Sequence, residues 1–135
     1  MHVAFGTDES NELTALIQEE LGRLGHEVLA VADPEPWPDA GRSVAEAVVG
    51  GRADFGVVCC WTGTGVAMAA NKVAGARAAL CTDAETARGA RRWNDANVLA
   101  LGLRLTSGPV AREMLDVFLA TEADPSEAAN VARLA

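Results

Sequence analysis

The apolar positions of this chain follow two alternating rhythms. His2 to Gly6, Glu27 to Ala32, Phe55 to Cys59 with Cys60 at its end, and Val98 to Gly102 are short, nearly continuous apolar runs, the pattern of strands buried on both faces of a parallel sheet. Ala76 to Cys81 reads as a further strand. Between the first two runs, Leu13, Leu16, Ile17, Leu21 and Leu24 recur at helical spacing behind Ser10, a candidate N-cap, and stop near Gly25. Further helices are predicted from about Gly41 to Val49, from Val66 to Lys72, and from Ala84 to Arg92 behind Thr82 or Asp83. Ser107 and Pro109 open another, with Met114, Leu115, Phe118 and Leu119 on one side, and Ser126 to Leu134 is a last short helix after a break at Thr121 to Asp124. Asp33 to Asp39 carries three prolines and is predicted to be a loop throughout. Strands alternating with helices predict an α/β fold with three layers: a five-stranded parallel sheet, Rossmann-like, between helices on both faces with right-handed crossovers.

A length of 135 residues suits one domain, residues 1–135, with a core of its own. Half of the residues are hydrophobic, but no uninterrupted apolar stretch approaches the roughly 20 residues that span a bilayer. Asp8 and Glu9 follow only a short apolar strand, which is not the pattern of a signal peptide. A soluble, cytoplasmic protein without a membrane partner is expected. The formal net charge of -8 argues against a nucleic-acid partner, whose phosphates would be repelled over most of the surface. Arg88, Arg91 and Arg92 form a local basic cluster, read as a solvated helix face or a subunit contact. The three cysteines have no paired metal spacing, and the adjacent Cys59 and Cys60 would point to opposite faces of a strand. Reduced thiols are expected. With His2 and His26 both remote in sequence from the glycine-rich stretch, no metal site is expected either.

The chemistry concentrates where the third strand hands over to a helix, at Cys60-Trp61-Thr62-Gly63-Thr64-Gly65. That is where open α/β sheets place their ligands. Gly63 and Gly65 permit a turn in which several N–H groups converge, and a helix N-terminus adds partial positive charge. The expected product is an anion hole beside a thiol of lowered pKa, usable as a base or a nucleophile. Cys59 and Cys81, embedded in apolar runs, are most simply small core residues.

Several longer motifs then narrow the reading. Thr62-Gly63-Thr64-Gly65, Ala69-Ala70-Asn71-Lys72-Val73, Gly75-Ala76-Arg77-Ala78-Ala79-Leu80 and Asn94-Asp95-Ala96-Asn97-Val98-Leu99-Ala100-Leu101-Gly102 follow one another in order, behind an opening Phe5-Gly6-Thr7-Asp8. Together they closely resemble the sugar-phosphate isomerases of the type B ribose-5-phosphate isomerase and galactose-6-phosphate isomerase family, over most of the chain. The resemblance implies aldose–ketose isomerisation by proton transfer between C1 and C2 through a cis-enediolate, with neither metal nor cofactor. It makes Cys60 the base, Thr62 a hydroxyl assisting at the substrate oxygens, and Gly63, Thr64 and Gly65 the amides around the developing oxyanion. It further implies that Asp8 binds sugar hydroxyls, that Asn94 donates to the same oxygens, and that Arg104 contacts a phosphate. It also implies a homodimer or a pair of dimers, each site completed by the neighbouring subunit. One branch of the family replaces the Cys by a Glu just after the last loop glycine; Val66 stands there, so only Cys60 is available.

The departures from the family are specific. Glu9 stands where a His usually follows the first-loop Asp, and Trp93 stands before Asn94 in place of the His that opens the sugar ring. An indole N–H donates hydrogen bonds but does not titrate near neutral pH. Trp61 occupies a position that is normally Gly, where it would shrink or roof the pocket, or simply pack on Trp93. The tail, Asp124 to Asn130, lacks the two arginines that grip phosphate in the family, and Arg133 is its first cation. The reading ranked first is therefore an isomerase with altered sugar or sugar-phosphate specificity. A different enediolate reaction, such as epimerisation or dehydration, and a non-catalytic small-ligand-binding protein are the alternatives.

Overall fold

In the computed structural model, which describes residues 1–134, the chain runs β1 (His2–Thr7), α1 (Glu12–Arg23), β2 (Glu27–Ala32), α2 (Trp37–Val49), β3 (Phe55–Cys60), α3 (Thr64–Asn71), β4 (Ala78–Leu80), α4 (Ala84–Asn94), β5 (Val98–Gly102) and α5 (Gly108–Ala120). A 3-10 turn, Pro125–Glu127, and a short helix α6, Ala128–Val131, follow. The strands form one five-stranded sheet in the order β2-β1-β3-β5-β4, every pair parallel. All their C-terminal ends therefore share one edge of the sheet, with β3 in the middle. No helix among the described residues is long and apolar enough to cross a membrane.

The continuous apolar runs are explained by burial on both sides. One face packs Phe5, Val57, Cys59, Leu99 and Leu101 against Ile17 and Leu21 of α1, Ala87 and Ala90 of α4, and Met114, Leu115 and Phe118 of α5. The other packs Ala4, Val58, Cys60, Val98 and Ala100 against Ala40, Val44 and Ala47 of α2 and Val66 and Ala70 of α3. The large side chains of the first face supply most of the apolar stabilisation, at about 1.5–3 kcal/mol for each one fully buried. The second face is built of Ala, Val and Gly, and its helices come close. A methyl group placed on Gly41 would lie 2.6 Å from the Val66 carbonyl oxygen and 2.8 Å from Ala69 Cβ. This contact sets the start of α3 directly against α2.

Local structure departs from the sequence reading at identifiable points. The N-cap of α1 is Asn11, not Ser10: its side chain accepts from the Thr14 N–H while Thr14 Oγ1 accepts from the Asn11 N–H, a reciprocal box. Ser10 instead donates to Asp33. The proline segment is not loop throughout. Trp37, Pro38 and Asp39 form the first turn of α2, with Pro36 as its N-cap, because proline is tolerated where helix N–H groups are unpaired anyway. Helix α3 begins at Thr64, two residues before the expected Val66, and α4 continues to Asn94. Strand β4 shrinks to three residues, because Arg77 and Asn97 tie down the chain ahead of it. The tail beyond Ser126 forms only the turn and α6.

Arg91 is not part of a solvated face. It is 7 % exposed, lies over the Phe55 ring at 4.7 Å, and donates to the carbonyls of Thr121 and Ala96 and to Asp95. Its planar donor fork joins α4, β5 and the end of α5.

Candidate active site

Three turns meet at the C-terminal edge of the sheet because the parallel register forces them to. Cys60 closes β3 opposite Gly102 of β5, and Thr7 closes β1 opposite Cys59. The Asp8 N–H donates to the Cys59 carbonyl at 3.3 Å, the Leu103 N–H to the Cys60 carbonyl at 2.9 Å, and the Arg104 N–H to the Trp61 carbonyl at 2.9 Å. The sheet hydrogen bonding thus continues one step past the strands. Asp8 stands on one side of the Cys60 turn and Arg104 on the other.

Alternation along β3 separates the two thiols as expected. Cys59 is fully buried in the α1–α5 face, while Cys60 faces α2 and α3 and is 5 % exposed. Burial pushes the Cys59 thiol far above its ordinary range, with further push from the negative charges of Cys60, Asp8 and Asp33, and burial raises Cys81 to about 11. Among the described residues, Cys60 alone of the three thiols has a donor aimed at sulfur: the Gly63 N–H reaches its Sγ at 3.2 Å. A hydrogen bond there stabilises negative charge on sulfur.

The turn works only with glycine at its centre. Gly63 has φ 79°, and a Cβ there would lie 2.5 Å from Leu80 Cδ1 and 2.8 Å from the Leu101 backbone carbon. It is also the N-cap of α3 and supplies no side chain to the helix start. The N–H groups of Thr64, Gly65 and Val66 consequently open α3 without a backbone or side-chain acceptor among the described residues. These three donors lie open beside Cys60, while the Gly63 amide, expected among the anion-binding donors with Thr64 and Gly65, is turned to the Cys60 sulfur instead. The exposed Thr62 and Thr64 hydroxyls meet at 2.7 Å.

Around this centre the charge is mostly negative. Asp8 is half-buried, and Glu9 is exposed with its N–H on Thr7 Oγ1. Asp33 and Glu35 follow on the β2–α2 connection, held against β1 by the Glu35 N–H on the Thr7 carbonyl, and Asp39 in the first turn of α2. Arg42 is engaged by Asp39 and Glu46. Arg104 is exposed and makes no ion pair among the described residues.

Not every residue singled out in the sequence comes to this place. Trp93 and Asn94 end α4, just before β5 begins, and the start of β5 pairs with Gly56 rather than with Cys60. Within one chain they are separated from Cys60 by the length of the strands, roughly 13 Å at ~3.3 Å per residue. Trp61 and Trp93 therefore do not pack on one another; each is more than half exposed, and Trp93 lies over Gly89 one helical turn back. Trp93 and Asn94 instead line an open groove of about 980 Å³ along the free edge of β4, with Leu80, Asn71 and Arg77 on its other walls.

One residue at the centre escaped the sequence reading. The Trp37 indole lies against Gly65, so that a Cβ there would be 2.9 Å from Cε3 and 3.0 Å from Cδ2. Its signal was the Trp-Pro pair ahead of an amphipathic run, an N-terminal helix signature hidden among the prolines.

The family model for ribose/galactose isomerases matches residues 3–134. The chain belongs to that ribose/galactose isomerase family. A galactose-6-phosphate isomerase subunit of Clostridium acetobutylicum is 37 % identical over 94 % of this chain and 76 % of its own length. A D-erythrulose-4-phosphate isomerase of Pectobacterium atrosepticum is 32 % identical over 90 % of this chain and 84 % of its own. The solved structure of Clostridium thermocellum ribose-5-phosphate isomerase B superposes with a TM-score of 0.92 at 39 % identity, covering 98 % of this chain and 94 % of that one. The motifs quoted from the sequence thus identified the family correctly, and the chain is an aldose–ketose isomerase of the ribose/galactose isomerase type.

Proposed function

We propose that this isomerase uses the Cys60 thiolate to move a proton between C1 and C2 of a small sugar or sugar phosphate. The observation that carries the reading is the Gly63 N–H on Cys60 Sγ, immediately beside three unclaimed amides at the start of α3. For an aldose, the thiolate takes the C2 proton and the C2–H electron pair becomes the C1–C2 double bond. The carbonyl pair moves onto O1, where the amides of Thr64, Gly65 and Val66 meet the new negative charge. The O2 proton passes to O1 with Thr62 as the hydroxyl in reach, and the Cys60 thiol returns its proton to C1. Asp8 orients the sugar hydroxyls from the β1 side, and Arg104 offers the site's unpaired positive charge. Glu9 and Trp61 shape the rim. Relatives at this level of identity are named for sugars of different length, so the sugar itself does not follow from similarity.

The active form in this reading is a homodimer, alone or paired, with shared sites. Asn94 and Trp93 lie at the wrong end of their own chain to reach Cys60, yet they are displayed beside the unpaired edge of β4, in a groove that Leu80 also lines. A second copy seated along that edge brings its Asn94 to the first copy's Cys60.

Complementation tests both parts. Cys60→Ala and Asn94→Ala are each expected to lose most turnover, and an equimolar refolded mixture regains about a quarter of wild-type activity, since half the dimers then hold one intact site of two. A mixture that regains nothing contradicts the shared site. Full activity of Cys60→Ala contradicts the base.

A further inference from the structure

The chemistry gathered at Cys60 moves protons on carbon, but it includes no group suited to opening a sugar ring. Ring opening needs a base at the anomeric hydroxyl and, at the same moment, a proton donor at the ring oxygen. Imidazole is the side chain that gives up and regains a proton near neutral pH. The chain has two histidines. His2 opens β1 at the opposite edge of the sheet and is paired with Glu27 at 2.5 Å, and His26 precedes β2 at that same far edge, against the N-terminal amine. Neither lines the β4 groove from which a second copy would reach the site. The residues that do come from that groove, Trp93 and Asn94, donate hydrogen bonds without exchanging protons in this range. Arg104 offers guanidinium N–H donors, and the carboxylates of Asp8 and Glu9 accept hydrogen bonds rather than donate them. Cys60 is committed to the carbon-bound proton.

Resting on the isomerase reading above, we propose that this enzyme acts only on open-chain carbonyl forms. Its substrate class is then the short sugars and sugar esters that cannot close a five- or six-membered ring, because the required hydroxyl is absent or esterified. A sugar that cyclises reaches the site only as its free carbonyl fraction, and its apparent efficiency falls by that fraction. The Trp37 indole fills the space against Gly65, on the α2 side of the glycine turn.

The test compares ribose 5-phosphate with 4-deoxyribose 5-phosphate, which has the same length and the same ester but no hydroxyl with which to form a furanose. Free carbonyl is measured for each by NMR, and kcat/KM is expressed per free carbonyl. The two values are expected to agree within about tenfold, the span one hydroxyl contact carries. With ribose 5-phosphate at high enzyme concentration, the rate is expected to level off at that of uncatalysed ring opening. A per-carbonyl value for ribose 5-phosphate far above that of the deoxy compound, or a rate that keeps rising with enzyme, overturns the proposal while leaving the isomerase intact. Failure of both sugars, and of erythrose 4-phosphate, to exchange carbon-bound protons overturns the isomerase reading and this one with it. Trp93→His supplies the second variant. It is expected to lift the levelled rate with ribose 5-phosphate and to introduce a pH limb in the imidazole range, and an unchanged ceiling and profile count against the proposal.

Discussion

Gly63→Ala is the substitution that most sharply separates the architecture of the turn from its chemistry. The residue sits at φ 79°, and the new methyl would meet Leu80 Cδ1 at 2.5 Å and the Leu101 backbone carbon at 2.8 Å. The left-handed conformation costs ~1–2 kcal/mol for a residue with a Cβ, and overpacking against a strand backbone that cannot yield adds ~1–3 kcal/mol. The sum, about 2–5 kcal/mol, corresponds to a fall in Tm of roughly 6–20 °C for a protein of this size. Relief by moving the turn carries the Gly63 N–H away from Cys60 Sγ and tilts the open amides of α3. The loss of one aligned oxyanion donor alone lowers kcat by about 10²–10³. Urea and thermal unfolding followed by circular dichroism measure the first effect, and initial rates at a temperature where the variant is fully folded measure the second. A Gly63→Ala variant with wild-type Tm and wild-type kcat would refute this reading of the turn.

Other consequences follow from the same geometry. Iodoacetamide on the native protein at pH 8 is expected to label Cys60 first and to abolish turnover in proportion, since burial holds Cys59 and Cys81 as thiols; peptide mapping that finds Cys81 modified ahead of Cys60 contradicts this. Arg91→Met keeps the stem over Phe55 but strands the carbonyls of Thr121 and Ala96, with an expected loss of about 2–4 kcal/mol by urea unfolding; a loss under ~0.5 kcal/mol would mean those carbonyls find water. The Asp83 carboxylate is held below its usual range by the Thr86 N–H at the start of α4. Because its folded pKa is depressed, its contribution is present above the unfolded pKa and disappears as pH falls through the folded one. The urea midpoint of wild type over Asp83→Asn should therefore shrink as pH drops from 6 toward 2, and a difference that holds constant would contradict the charge.

The fold was legible because the sheet is buried on both faces. Continuous runs such as Phe55 to Cys60 and Val98 to Gly102 leave little else for the chain to do, and their order fixes the edge at which Cys60 emerges. What escaped reading was local. Ser10 and Asn11 are both good caps, and only the reciprocal bond with Thr14 decides between them. The three prolines obscured the start of α2 at Trp37, because the same residue that forbids a helix interior suits its first turn. Arg91 looked like one of three solvated cations, and nothing in sequence spacing announces two orphan carbonyls and an aromatic ring waiting for a guanidinium. In the site, Cys60, Thr62, Gly63, Thr64, Gly65, Asp8 and Arg104 converge as adjacency in the sheet requires. Asn94 does not: it ends α4 beside the start of β5, at the far end of the strands from Cys60, and motif order carries no information about that separation.

The measurement that bears most directly on the central claim is exchange of carbon-bound substrate protons with deuterated water, followed by NMR. Wild type and Cys60→Ala are compared on erythrose 4-phosphate and 4-deoxyribose 5-phosphate. Deuterium is expected at C2 of the aldose and at C1 of the ketose product with wild type, and exchange at the uncatalysed rate with Cys60→Ala at unchanged Tm. Undiminished exchange in a folded Cys60→Ala would contradict the role of the thiolate, because the proton would then be moving through some other group.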